Sequence, residues 1–148
     1  ALVEAIAGMV QTNGDAVTPL REAGVRAVTD ITGFGLQGHG AVMAKATGVR
    51  LRVDSSSVPE YPGARSCMEA GYITRANKRN KEYTQSLGLL EGVIEPLLLD
   101  PQTSGGLLAA VKPEHSLELV TALEQAGYEN TTLIGEVIEG QGIEVVGF

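Results

Sequence analysis

The chain has 148 residues, a 43% hydrophobic and 4% aromatic content, and a formal net charge of −7. This length and composition predict one globular domain with an aliphatic core, and the acidic balance disfavours broad binding to nucleic acid or to anionic membranes. The single cysteine, Cys67, excludes an internal disulfide and a cysteine-only zinc site, and it suits a reducing, cytoplasmic setting. No apolar run reaches transmembrane length, and no signal-peptide pattern is present.

The first third of the chain mixes helical and extended patterns. Residues 2–9 have helical spacing, and Asp15 is expected to start a second, short helix. Residues 25–28 and 49–53 are predicted strands. Between them, a glycine-rich turn is predicted to open a helix that ends at Gly48 and packs one face on a sheet.

The remainder continues this mixture. A helix at 64–70 is predicted to stop at Gly71 and to hold Cys67 as a small core residue, whereas the basic segment 73–90 is expected to be loop with one helical piece around 79–86. The last predicted elements are a strand at 107–111, a helix at 114–126, a strand at 133–139 and a hairpin-like final strand at 143–146. The pattern predicts an α/β fold of the α+β type, with a mixed β-sheet flanked by helices.

The segment T-D-I-T-G-F-G-L-Q-G-H at 29–39 places a carboxylate and two hydroxyls before the glycine-rich turn. In the order strand, turn, helix, the unpaired N–H groups of the first helical turn and the positive end of the helix dipole face whatever lies above the strand. Oxygen ligands such as Asp30 suit a metal ion, and free N–H groups suit a phosphate. The segment therefore predicts an anion site.

The same turn also matches the dinucleotide fingerprint G-x-G-x-x-G at 33–38, and Asp54 follows the next strand where a ribose-binding acid would stand. Against that alternative, polar residues at 29–32 separate the strand from the first glycine, and a carboxylate there would face the pyrophosphate. The chain also does not continue the regular alternation that builds a dinucleotide-binding sheet. A nicotinamide site is therefore the weaker interpretation.

A second segment, D-P-Q-T-S-G-G at 100–106, again sets an aspartate, hydroxyls and paired glycines between apolar runs. Its hydroxyl and N–H groups could form a nest for an anion. Equally, Asp100 could lock a tight loop by accepting backbone N–H bonds. Both interpretations stay open from the residues alone.

Taken together, T-D-I-T-G-F-G-L-x-G-H and D-P-Q-T-S-G-G-L-L resemble the two signatures of the C-terminal domain of selenophosphate synthetase, also called selenide, water dikinase. The segment G-Y-I-T-R-A-N-K-R-N at 71–80 resembles that family's stretch ending in Arg-Asn, so the resemblance spans most of the chain. It implies the C-terminal domain fold of the aminoimidazole-ribonucleotide-synthetase superfamily. It also implies ATP-dependent formation of selenophosphate from selenide and water, with release of AMP and phosphate.

The resemblance further implies roles for particular residues. Asp30 would help to coordinate the magnesium ions that bridge the ATP phosphates, and Arg79 and Asn80 would contact the substrate. Further contacts to ATP are expected from the hydroxyls and glycines of the two turns, namely Thr29, Thr32, Gly33, Gly35, Thr103 and Ser104. No catalytic residue is expected in this chain, because the family's reactive cysteine or selenocysteine and its essential lysine lie in the preceding domain. His39 is expected to be packed and hydrogen-bonded, and His115 to lie at the surface.

Because residue 1 is Ala rather than Met, residues 1–148 are expected to form the C-terminal half of a two-domain enzyme that lacks its N-terminal ATP-binding domain here. Such a piece is expected to be inactive alone. The resemblance implies ATP, selenide and the missing domain as partners, and a homodimeric parent. The alternatives are another ATP-dependent member of the superfamily and a non-catalytic nucleotide- or anion-binding module.

Overall fold

A computed structural model describes residues 2–88 and 90–147. Its helices are α1 (Leu2–Val10), α2 (Val17–Glu22), α3 (Gly35–Thr47), α4 (Ala64–Glu69), α5 (Arg75–Ser86) and α6 (Ser116–Gln125). Its strands are β1 (Ala27–Asp30), β2 (Arg50–Asp54), β3 (Leu90–Gly92), β4 (Leu107–Ala110), β5 (Gly135–Ile138) and β6 (Gly142–Val146). None of the helices in these residues combines the length and the apolar character needed to cross a membrane.

Within the described residues, the strands form a four-stranded mixed sheet and a two-stranded antiparallel sheet. The larger sheet has the order β3-β6-β2-β5, in which β6 runs parallel to both β3 and β2 whereas β5 runs antiparallel to β2. The smaller sheet pairs β1 with β4. The α/β fold with a mixed sheet is thus confirmed.

The final two strands do not form the predicted hairpin. Both pair with β2, one on each side, and the link between them passes over Arg50, which lies opposite Ile138 and Gly142. Gly140 has a φ of +133°, and a Cβ there would lie 2.9 Å from Arg50 Nε. The glycine therefore lets the chain cross the end of β2, so that this buried strand is paired along both edges.

Helix α3 packs on one face of the larger sheet. The main core combines small residues of α3 with aliphatic residues of the sheet and of the 3-10 turn Pro96–Leu99: Ala41, Ala44, Leu51, Val53, Leu98, Ile143 and Val145. The other face of the sheet exposes ion pairs instead, in which Arg52 binds Glu136 and Glu144 at 3.1 and 3.0 Å. The hydrogen bonds to Glu144 and Glu136, together with the charges of these carboxylates, raise the pKa of Arg52. A second core joins α2 and α6 to β4 through Ala16, Leu20 and Leu119.

The basic segment is helical over a longer stretch than predicted. Helix α5 begins at Arg75, and the Thr74 side chain caps it by accepting the N–H of Asn77 at 3.2 Å. The buried face of α5 is polar, since it consists of Asn77, Asn80 and Thr84. Apolar periodicity, the main signal for a helix, is therefore missing from this part of the sequence.

Candidate functional site

Strand β1 ends at Asp30 rather than at Val28, so Thr29 and Asp30 belong to the strand and not to the turn. In the antiparallel pairing of β1 with β4, Asp30 lies opposite Leu107. Strand β4 follows directly on the second glycine-rich segment, 100–106. The register therefore brings the two glycine-rich segments side by side.

Backbone hydrogen bonds continue this contact beyond the strands. The N–H of Ile31 donates to the carbonyl of Gly106 at 2.9 Å, and the N–H of Gln102 donates to the carbonyl of Thr32 at 3.1 Å. Gly105 permits the close approach, because a Cβ at this position would clash with the carbonyl oxygen of Ile31. The two segments thus form one continuous surface.

The second segment is not locked by Asp100 as one interpretation of the sequence expected. Asp100 is partly buried, and in the part of the chain that the structure describes no hydrogen bond reaches its carboxylate. Burial raises the pKa of this carboxyl, because the charged form loses hydration. The side chains of Thr103 and Ser104 are exposed, and they too have no partner among the described residues. Their hydroxyls are therefore available to a ligand.

Packing inside the chain accounts for the glycine spacing of the first segment. Gly35 has a φ of +68°, and a Cβ there would lie 2.6 Å from the carbonyl oxygen of Leu98. A Cβ at Gly38 would lie 2.6 Å from the Cβ of Phe34. Gly33 is different, because no heavy atom outside its neighbours would lie within 4 Å of such a Cβ. A dinucleotide is therefore not needed to explain the G-x-G-x-x-G pattern.

Asp54, the acid that a dinucleotide site would need, already accepts hydrogen bonds within the chain. The Asp54 carboxylate accepts the N–H and the hydroxyl of Ser56 at 2.9 and 2.7 Å. These hydrogen bonds hold the pKa of Asp54 below its ordinary value. Asp54 therefore caps the turn after β2, which is a local structural role.

Some polar groups near the first turn are used within the chain, and others are free. The N–H of Gly35 donates to the carbonyl of Thr32 at 3.0 Å, and the hydroxyl of Thr29 donates to the carbonyl of Asp30 at 3.2 Å. The N–H of Gly33 has no acceptor within residues 2–88 and 90–147. The carboxylate of Asp30 is exposed and, among the same residues, has no hydrogen bond or ion pair. Asp30 and Gly33 can therefore bind an external group.

Asn80 and Arg79 have different environments although they are neighbours in α5. Asn80 is 5% exposed, and its side-chain nitrogen donates to the carbonyls of Gly33 at 2.7 Å and Leu99 at 2.9 Å. The amide thus ties the first turn to the residue that precedes the second segment. Arg79 is exposed and has no ion pair among the residues described, so its guanidinium is available for an anion.

His39 is hydrogen-bonded, as expected, and its partners lie in the same turn. Its Nε2 atom lies 3.0 Å from the hydroxyl oxygen of Thr32 and accepts the N–H of Phe34 at 3.4 Å. The Phe34 ring stacks on Tyr83 with the ring centroids 4.9 Å apart. His39 therefore holds the glycine turn from the second turn of α3.

The described residues contain no group of three or more His, Cys, Asp or Glu that could hold a metal ion together. Asp30 could therefore supply one ligand of a metal site, but not a complete protein ligand set. Cys67 is exposed on α4, so the prediction that it lies in the core is wrong. The small and apolar residues around Cys67 indicated a buried helix face, but α4 is a short helix that has no buried residue. His115 is exposed, as predicted.

Sequence reasoning did not single out two residues that support this surface. Asn13 reaches the second segment from the loop after α1, where its side-chain nitrogen donates to the carbonyl of Gly105 at 3.2 Å. Phe34 fixes the first turn against α5. A signal for Phe34 was its place inside the glycine turn, whereas no local pattern connects Asn13 with a residue so distant in the chain.

The chain is an α/β domain in which the end of β1, the two glycine-rich segments and the Asp30 carboxylate form one composite surface. The chain belongs to the family described as AIR synthase related protein, C-terminal domain, whose model matches residues 7–147.

Curated relatives carry a common name. The chain is 42% identical over 150 residues to the selenide, water dikinase of Bdellovibrio bacteriovorus, an alignment that covers 98% of this chain and 43% of the relative. It is 44% identical over 128 residues to the selenide, water dikinase of Dechloromonas aromatica, covering 83% of this chain and 37% of the relative. The chain thus spans less than half the length of these relatives.

A solved structure has the same fold. The crystal structure of Escherichia coli HypE, a hydrogenase maturation protein, superposes with a TM-score of 0.62 at 23% identity and covers 89% of this chain and 35% of that one. At this level of identity the likeness extends to the fold alone.

Proposed function

We propose that this chain is the C-terminal domain of a selenide, water dikinase, an enzyme that uses ATP, selenide and water to form selenophosphate, AMP and phosphate. The observation that carries the proposal is the 42% identity over 98% of the chain to a relative of that name. A HypE structure of the same fold was solved in complex with ATP, which supports the nucleotide part of the proposal. A cytoplasmic location and a homodimeric parent belong to the same proposal.

Asp30 fits the role of a magnesium ligand. Its carboxylate is exposed, unpaired among the described residues, and placed at the end of β1 beside the second glycine-rich segment. Mg²⁺ commonly takes one or two protein carboxylates and completes its shell with phosphate oxygens and waters. When bound, the ion would neutralise charge on the ATP phosphates.

The other groups of the surface divide into contacts and supports. The free N–H of Gly33, the hydroxyls of Thr103 and Ser104 and the guanidinium of Arg79 would contact the nucleotide phosphates, because each can donate to an anion. The remaining predicted contacts are used within the chain and would hold the surface in shape: Thr29, Gly35 and Asn80. A reactive nucleophile and further metal ligands would come from the preceding domain of the parent enzyme.

Replacement of Asp30 in the full-length parent tests this function. We expect Asp30→Asn to lower selenide-dependent AMP formation at least about tenfold and to raise the magnesium concentration needed for half-maximal rate, because even indirect partners of a metal are worth this much. Asp15→Asn, at an exposed carboxylate outside the surface, is the control and should leave both values unchanged. If the wild-type parent consumes ATP but does not respond to selenide, it is another ATP-dependent enzyme of the superfamily.

A further inference from the structure

We propose that His39 is a positioning residue that acts in one tautomer. In this tautomer the neutral ring carries its proton on Nδ1, and the Thr32 hydroxyl and the Phe34 N–H share the single lone pair of Nε2 as donors. The two bonds hold the first glycine turn in the shape that presents the Gly33 N–H to a ligand. The proposal concerns the site of the proposed function and rests on that function only for its effect on turnover.

The geometry at Nε2 selects the tautomer. A backbone N–H can only donate, and the N–H of Phe34 points at Nε2 from 3.4 Å. Nε2 must therefore carry a lone pair, so the proton of the neutral ring lies on Nδ1. The Thr32 hydroxyl oxygen, 3.0 Å from the same nitrogen, then has to be the donor in its own contact.

The position of His39 near the start of α3 shows that these bonds cap the helix. Phe34 is the N-cap residue of α3 and has no side-chain cap of its own. The first N–H groups of a helix lack intrahelical acceptors, and in a capping box a side chain from the first turn reaches back to the N-cap N–H. His39 does the same from slightly further along α3. The imidazole thus supplies the acceptor for the N-cap N–H, which is one of the two bonds of a capping box.

The tautomer also decides which groups of the turn face a ligand. The Thr32 proton is directed to His39, so Thr32 offers oxygen lone pairs to the site and accepts a hydrogen bond there. The N–H groups of Phe34 and Gly35 are both used within the turn, whereas the N–H of Gly33 has no acceptor among these residues. Thr32 therefore accepts a hydrogen bond from a water or another donor, and the Gly33 N–H donates to the phosphate oxygens.

The Phe34 ring lies between two partners that support this arrangement. It stacks on Tyr83 at a centroid distance of 4.9 Å and lies 5.5 Å from the His39 ring. The absence of a side chain at Gly38 leaves room for the Phe34 Cβ. Any rotation of His39 would consequently disturb both the ring contacts and the turn hydrogen bonds.

The first experiment reads the tautomer directly by long-range ¹H–¹⁵N NMR of the 148-residue chain at neutral pH. We expect an Nε2 resonance typical of an unprotonated ring nitrogen and an Nδ1 resonance typical of a protonated one. The exposed His115 serves as an internal reference that averages over both tautomers. A protonated Nε2, or averaging like that of His115, would overturn the proposal.

The second experiment uses paired variants of the full-length parent. His39→Gln places an amide oxygen near the position of Nε2, whereas His39→Phe keeps a ring but offers no acceptor. We expect His39→Phe to lower kcat/KM for Mg-ATP about tenfold or more, as loss of an outer-shell partner commonly does, and His39→Gln to recover most of it. Equal activity of both variants, whether high or low, would contradict a positioning role.

The two experiments separate this proposal from the proposed function. The tautomer is measured without selenide or turnover, so it can be confirmed in an enzyme that proves to use a different acceptor. If both variants of the parent fail to fold, the NMR measurement on the wild-type chain still decides the proposal.

Discussion

Asn80 is a buried amide that joins the first glycine-rich turn to the residue before the second glycine-rich segment. Its side-chain nitrogen donates to Gly33 in the first turn and to Leu99 before the second segment, and the Leu99 residue is fully buried. Carbonyl groups that lose such a donor inside a protein cannot recover a hydrogen bond to water. A residue of α5 thus adds side-chain hydrogen bonds to the backbone contacts that hold the two segments together.

Removal of this amide is expected to destabilise the domain. Asn80→Ala should lower the free energy of unfolding by about 1–3 kcal/mol, because the buried Leu99 carbonyl is left without a donor. Urea denaturation of the 148-residue chain measures the effect. Asn130→Ala, at an exposed asparagine, provides the control and should change the stability by no more than about 0.5 kcal/mol. Equal losses in the two variants would show that the Asn80 hydrogen bonds do not stabilise the fold.

Helix α3 shows how an element serves both core and site. Its middle supplies small residues to the main core, and its C-terminus ends at Gly48 with a φ of +70°. Its N-terminus begins in a turn whose glycines have different duties, since Gly35 has a positive φ and a tight contact whereas Gly33 has neither. Gly35 is therefore needed for the conformation of the turn, whereas Gly33 leaves room for a ligand.

These two glycines form a matched pair for a test. Gly35→Ala should lower the free energy of unfolding by at least about 1–2 kcal/mol, because an L-residue is strained in the left-handed region and its Cβ would press on the Leu98 carbonyl. Gly33→Ala should cost no more than about 0.5 kcal/mol. Thermal and urea unfolding of both variants measure the difference. A tolerant Gly35 would mean that the turn can adopt another conformation.

At the scale of the whole molecule, the domain presents a surface that needs further groups. Among the residues described, no group of three or more His, Cys, Asp or Glu is present to hold a metal ion. Several groups of this surface have no partner within that same part of the chain: the Asp30 carboxylate, the Gly33 N–H, the hydroxyls of Thr103 and Ser104, and the Arg79 guanidinium. The chain spans 43% and 37% of two curated relatives. These facts support the proposal that a second domain completes the site.

The isolated 148-residue chain is accordingly expected to be folded but silent. With selenide, magnesium and ATP it should release no AMP above the uncatalysed background, and calorimetry should detect no micromolar binding of Mg-ATP. Full-length parent assayed in parallel is the positive control. Micromolar binding by the chain alone would favour a nucleotide-binding module instead, and a rise in melting temperature with NAD would favour the dinucleotide interpretation.

Local sequence signals predicted several elements because their causes are local. Gly48 and Gly71 marked helix ends through their tolerance of positive φ, and apolar β-branched runs indicated β2 and the start of β1. Helix α5 was predicted too short, since its buried face is polar and leaves no apolar period. The false hairpin at β5 and β6 arose because a glycine turn between strands does not reveal which strand each one pairs with.

By itself, the sequence determined the fold class and the two glycine-rich motifs, because residue type and spacing carry that information, and the resemblance to selenophosphate synthetase predicted Asp30 as a metal ligand. Only the tertiary structure decided which groups remain free. The pairing of β1 with β4 joins the two motifs, and the Asn80 side chain points inward and supports them. The Asp54 carboxylate already accepts hydrogen bonds from Ser56, so it is not available to a ligand. Hydrogen-bond partners distant in the chain determine whether a polar group can bind a ligand, and local spacing contains no record of them.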